Sequence, residues 1–104
     1  MAFPFTRHGD EGLEQAANRE TPRTELVQLA SHRSPEVRAA IAARRDCPMA
    51  TMFALAYDES TLVLEALALN ASAPRGVLEV LATHRRETVR GLAGRRLRYM
   101  DAAA

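Results

Sequence analysis

The sequence predicts an all-α chain, a short α-solenoid of three two-helix units of 26 residues with no β-sheet. Three observations carry this reading. Prolines stand at Pro22, Pro48 and Pro74, and the pair Leu29-Ala30 recurs at the same 26-residue interval as Leu55-Ala56 and Leu81-Ala82. Val37, Val63 and Val89 keep the interval, as do Leu26, Met52 and Leu78. No stretch alternates β-branched and polar residues in the manner of a half-buried strand. Self-similarity at a fixed period of this size marks stacked repeats. Aligned without a gap, the first and third units agree at 10 of 26 positions, too many for shared composition alone.

The units run 18–43, 44–69 and 70–95, with 1–17 as an N-terminal cap and 96–104 as a C-terminal cap or tail. GLEQAAN, at 12–18, reads as the end of a preceding half-unit. The first helix of a unit opens at Thr21-Pro22, where proline suits the first helical position because its missing N–H would be unpaired there. Leu26, Val27, Leu29 and Ala30 form its apolar stripe. The second opens at Ser34-Pro35-Glu36, with Ser34 as N-cap and Glu36 beside the positive helix end. Val37, Ala40 and Ile41 then follow i, i+3, i+4 spacing. Helices of about 8–11 residues are too short to persist alone, so stacking must hold them.

Composition narrows the function classes. A chain of 104 residues, 47% hydrophobic and 26% charged, is one folded domain and not a disordered tail. Cys47 is the single cysteine, which excludes an internal disulfide and any four-cysteine metal or iron–sulfur site. No apolar run reaches the roughly 18 residues of a membrane span, and MAFPFTRHGDEG lacks the order of a signal peptide. A cytoplasmic protein without membrane association is expected. Gly-rich phosphate loops, HExxH, GxSxG and paired carboxylates are absent from the sequence, so we expect no enzyme, no cofactor and no small-molecule substrate.

The run SPEVRAAIAARRDCPMATMFALAYDESTLVLEALALNASAPRGVLEVLAT resembles the leucine-rich repeat variant family. The resemblance rests on Val37-Arg38 followed by Ile41-Ala42, on the Asn70…Pro74 turn, and on the Leu-Ala pair closing each first helix. It covers about residues 18–95 and implies a right-handed superhelix of alternating α and 3₁₀ helices. Arg44 departs from the Asn usual at its turn, Leu64 from the Arg after Val, and the third unit carries Gly91 and Gly94 in its second helix. The iron–sulfur binding found in the family needs a separate cysteine cluster and does not carry over to Cys47 alone.

Five features compete as sites. His32, Asp58 and His84 align, but two units separate the histidines, far beyond the ~2 Å reach of a shared zinc; a place in the last helical turn explains them better, and no metal ligand is expected. Arg33, Glu59 and Arg85 align beside them, so the sign of charge alternates from unit to unit. Stacking in register would turn Arg33 and Arg85 toward Glu59 or Asp58. Cys47, where Thr21 and Ala73 stand in the other units, has no neighbouring base and reads as packing.

The other two features concern partners. The middle unit has Met49 and Leu64 where its neighbours carry Arg23 and Arg75, or Arg38 and Arg90. With Leu62 and Leu69 these make TLVLEALAL apolar around most of a helix. Unless Phe3, Phe5, the end segments or the neighbouring units cover it, that surface takes a protein partner or a second copy. The candidate contacts are Met49, Leu62, Leu64 and Leu69, rimmed by Arg38 and Arg90. The alternative is nucleic acid. All basic residues are arginine, and residues 66–104 hold seven against three acids, net +4, while 1–65 hold seven against ten, net −3. Arg85, Arg86, Arg90, Arg95, Arg96 and Arg98 would then meet phosphates, although they fan out around a continuous helix. A third reading is purely structural, a solenoid piece that lengthens or caps a larger assembly.

Overall fold

The computed structural model describes residues 4–103, with side chains from residue 11 onward; Phe3 and the side chain of Phe5 lie outside the described part. The described chain is all-helical and contains no strand. Its helices are α1 (Pro4–Ala17), α2 (Arg23–Leu29), α3 (Pro35–Ala42), α4 (Met49–Leu55), α5 (Thr61–Leu69), α6 (Arg75–Leu81) and α7 (Glu87–Ala103). Helices α1, α3, α5 and α7 pack side by side as one row, and α2, α4 and α6 line the other. The molecule measures 55 × 27 × 16 Å. Its thinnest dimension is that of two helix layers.

Local chemistry sets the helix starts. Pro22, Pro48 and Pro74 occupy the N-cap, one residue earlier than the first helical position the sequence suggests. Their extended backbone turns the carbonyl inward, where it accepts from Leu26, Met52 and Leu78. In α3, Ser34 is the N-cap and Pro35 follows as the first helical residue. The alternation of α and 3₁₀ helices is not found: every described helix is α. Seven residues suffice for i→i−4 bonds such as Ala30 to Leu26, and i→i−3 bonds are left to closing turns such as His32 to Leu29.

Between the rows lies a continuous aliphatic core. Leu26, Val37, Ile41, Val63, Leu67, Leu78, Leu81 and Val89 are fully buried within it. Cys47 is buried as well, and loss of solvation pushes its thiol up to about 11, so it packs as an inert small residue.

The register between neighbours is held by one column of unlike residues. Arg44 donates through one guanidinium nitrogen to the carbonyls of Ala16 and Asn18, at 2.6 and 2.8 Å. Asn70 donates its amide to those of Ala42 and Arg44, at 2.7 and 2.8 Å. Arg96 does the same to Ala68 and Asn70, at 3.3 and 3.1 Å. Each therefore reaches back 28 and 26 residues to carbonyls at the end of the preceding helix of the long row, of which those of Asn18, Arg44 and Asn70 also accept a backbone N–H from Thr21, Cys47 and Ala73. The remaining valences are used locally. Asn70 also accepts from Ser72, and Arg44 is held by both oxygens of Asp46. That pairing keeps the Asp46 carboxyl below its usual value.

The alternating-charge contact takes a different form from the expected one. Asp58 is gripped by Arg38, with bonds of 2.8 and 3.1 Å, and not by Arg33 or Arg85. Arg38 spends its remaining nitrogen on the carbonyls of His32 and Arg33. One turn further into α3, it is the arginine able to span both units. Burial raises the cost of the Asp58 charge, but Arg38 and the Ser60 N–H outweigh it and keep the carboxyl below its ordinary value. A depressed carboxylate stabilises the fold fully above its unfolded value and loses that contribution as pH falls through its folded one. Chemical denaturation should therefore show stability falling more steeply in the wild type than in Asp58→Asn as the pH drops below about 4. Parallel pH curves for the two proteins would contradict this role.

The last helix departs from the pattern. Met100 stands where Pro48 and Pro74 end the earlier turns, so α7 continues to Ala103 and lies along α6. Leu97 and Met100 pack on the core, and Asp101 pairs with Arg75.

Candidate interaction surface

The apolar residues of the middle unit separate into three environments. Leu64 is 1% exposed and belongs to the core, so it cannot line a partner surface. It follows Val63 on the side of α5 that turns into the row, where its branched side chain fills space between helices. Arg38 is likewise withdrawn from the proposed rim, since Asp58 and two carbonyls take up its guanidinium. Leu62 and Leu69 are exposed and lie seven residues apart on one stripe of α5. Met49, 61% exposed, starts α4 and belongs to the other row. The predicted residues therefore do not form one patch.

A second apolar surface lies on α4, and of it the sequence reading named Met49 alone. Thr51, Met52, Leu55 and Ala56 face the core, which leaves Met49, Ala50, Phe53, Ala54 and Tyr57 outward. None of these five is charged. Phe53 lies across the seam to α6, where a β-carbon on Gly76 would come within 3.0 Å of its ring. On the other flank a hollow of about 440 Å³ separates α2 from α4, lined by Val27, Ala50 and Ala54. Val27 is half exposed at its edge, and Tyr57 is 74% exposed. The signal lay in two columns, Val27–Phe53–Glu79 and Ser31–Tyr57–Thr83, where aromatic residues occur only in the middle unit.

The six C-terminal arginines are not equivalent. Arg96 points inward onto the carbonyls of Ala68 and Asn70, so it is a register residue before it is a phosphate ligand. Arg90 donates to the carbonyls of His84 and Arg85 while remaining exposed. Arg85 and Arg86 precede α7, while Arg95 and Arg98 lie on its open side. There they fold back along the helix over Gly91 and Gly94. The spread expected around a continuous helix is thus real for Arg96, whereas Arg90, Arg95 and Arg98 share the exposed arc.

The His32, Asp58 and His84 column has a shared task that its chemistry explains. His32 Nδ1 accepts from the Ser34 N–H at 3.0 Å, Asp58 from Ser60 at 2.9 Å, and His84 Nδ1 from Arg86 at 3.0 Å. Each closes the bend between two helices by binding the amide two residues ahead. Among the described residues no group of three or more His, Cys, Asp or Glu is placed to hold a metal ion. His84→Ala should cost about 1 kcal/mol, and His84→Asp should recover most of it because aspartate does this work at position 58. Thermal denaturation compares them; equal melting temperatures for alanine and aspartate variants would contradict the shared role.

No described helix is long and apolar enough to cross a membrane. Comparison with protein-family models, with curated proteins and with solved structures gives no match to this chain.

Proposed function

We propose that the chain is a short α-solenoid of the leucine-rich repeat variant kind, acting as a non-catalytic module that binds a protein partner in the cytoplasm. The observation that carries this reading is the outer face of α4. Five adjacent exposed side chains, Met49, Ala50, Phe53, Ala54 and Tyr57, carry no charge, and Val27 extends them across α2. An apolar, aromatic-bearing patch of this kind is the usual anchor of a protein interface. The helix-end starts at 23, 49 and 75, with the back-bonds of Arg44, Asn70 and Arg96, support the solenoid reading.

Phe53→Glu tests the surface. Capture of a protein from native extract should fall at least about tenfold, the loss of one anchor residue, with circular dichroism unchanged. Equal capture by the variant would reject the α4 face. The exposed arc of Arg90, Arg95 and Arg98 favours nucleic acid as the second reading. It requires binding that weakens steeply with salt and survives Phe53→Glu.

A further inference from the structure

The two ends of the long row are complementary in charge, and we propose that copies of this chain stack end to end, α1 of one copy docking on α7 of another. These ends are separate from the partner surface on α4. Arg90 shows what the α7 end is built to hold. It stands two repeat periods after Arg38, and both give one terminal nitrogen to the carbonyls of the bend before their helix. Those carbonyls are His32 and Arg33 for Arg38, and His84 and Arg85 for Arg90. Arg38 then turns Nε and its second terminal nitrogen onto the Asp58 carboxylate of the next unit. Arg90 is held by the same two bonds, yet its Nε and second terminal nitrogen have no partner among the described residues. A guanidinium fixed in this way offers two parallel N–H groups to a planar carboxylate.

The α1 end supplies the carboxylates. Over residues 11–17, α1 carries Glu11 and Glu14, both exposed, and no base. They stand one period before Val37 and Ala40, whose equivalents pack back on the preceding row helix. A second copy added by the step that relates neighbouring units repeats those contacts. Val37 lies against the place of Gly12, the equivalent of Arg90, so the incoming Glu11 meets Arg90. Leu92 shares a groove with Glu65, the equivalent of Gly91, so the incoming Glu14 meets Gly91. Arg95 lies over Gly91 and Arg98 over Gly94, and the two glycines leave room for a helix to approach. Of the two acids on α7, Asp101 is paired with Arg75, which leaves Glu87 against Arg90, Arg95 and Arg98. The relation is a step along the row and needs no symmetry axis, so the contact is heterologous and leaves both outer ends open. One row helix on another is a small contact, with a Kd of about 10–100 µM at low salt.

Sedimentation velocity in about 50 mM salt, from about 1 to 500 µM, measures the association. The wild type should grow past the dimer with concentration and shrink again in about 0.5 M salt. The variants E11R/E14R and R90Q/R98E should each remain monomeric alone, with the helical spectrum intact. Their equimolar mixture should associate, because each keeps one native end. Arg98→Glu by itself, at an exposed site, should raise Kd at least about threefold. A wild type that stays monomeric, an E11R/E14R protein that associates as the wild type does, or a mixture that stays monomeric would each overturn the proposal. Assembly that appears only on adding a DNA duplex would overturn it too and return these arginines to nucleic acid. None of these residues belongs to the α4 face, so such a failure leaves the partner surface to be judged by Phe53→Glu.

Discussion

Replacing Asn70 by aspartate should cost about 3 kcal/mol and lower the melting temperature by roughly 12–24 °C. The change is nearly isosteric and keeps the acceptor that binds the Ser72 N–H. It removes the donor shared by the carbonyls of Ala42 and Arg44, in a side chain that is 3% exposed. Both carbonyls then face a carboxylate where they faced an amide; that of Arg44 keeps the Cys47 N–H, but the buried one of Ala42 loses its donor, and an unsatisfied buried group costs more than the bond contributed. Asn70→Ala should fall between the two, since it leaves the Ala42 carbonyl without its donor but adds no charge. Differential scanning calorimetry orders the three proteins. An aspartate variant as stable as the wild type would mean that the back-bonds of this column do not hold the units in register.

Leu64→Glu should abolish folding, whereas Leu62→Glu, two residues away, should change stability by less than about 0.5 kcal/mol. Leu64 is fully enclosed, so truncation to alanine should already cost about 2–5 kcal/mol through lost transfer energy and the cavity left behind. Glutamate adds a carboxyl with no partner arranged for it, in a fold whose total stability is about 5–15 kcal/mol. Leu64→Met, which nearly conserves volume, should cost less than about 1.5 kcal/mol. Circular dichroism at 222 nm and urea titration separate these cases. A folded Leu64→Glu protein would show that position 64 is surface after all, as its alignment with Arg38 and Arg90 suggests.

The contrast between positions 62 and 64 shows how far sequence can be read here. Periodicity located the helices because prolines and aliphatic residues recur every 26 positions and perform the same packing each time. The direction of single side chains within TLVLEALAL was not legible, because that run is apolar on nearly every side and its pattern no longer distinguishes core from surface. Position 64 carries arginine in the neighbouring units, which made an outward leucine the natural expectation. In the folded chain the flanking helices close over it.

The column Arg44, Asn70 and Arg96 stayed hidden for another reason. Residue identity alternates between an amide and a guanidinium, and only the geometry shows that both present N–H groups to the same pair of carbonyls. His32, Asp58 and His84 hide a common acceptor role in the same way. The outer face of α4 was missed because Phe53 and Tyr57 sit among alanines in a helix of ordinary composition. Their significance appears once Thr51, Met52, Leu55 and Ala56 are seen to face inward.

Photo-crosslinking in the native cell probes the outer face of α4 itself, with a photoreactive residue placed at Tyr57 and, as a control, at the equivalent Thr83. Both positions are exposed and follow the same kind of helix, so they differ in the surface around them and not in accessibility. The outer face of α4 as a protein-binding surface predicts a discrete, nuclease-resistant protein adduct from position 57 and none from position 83. Equal labelling from both positions, or adducts that vanish with nuclease, would contradict it.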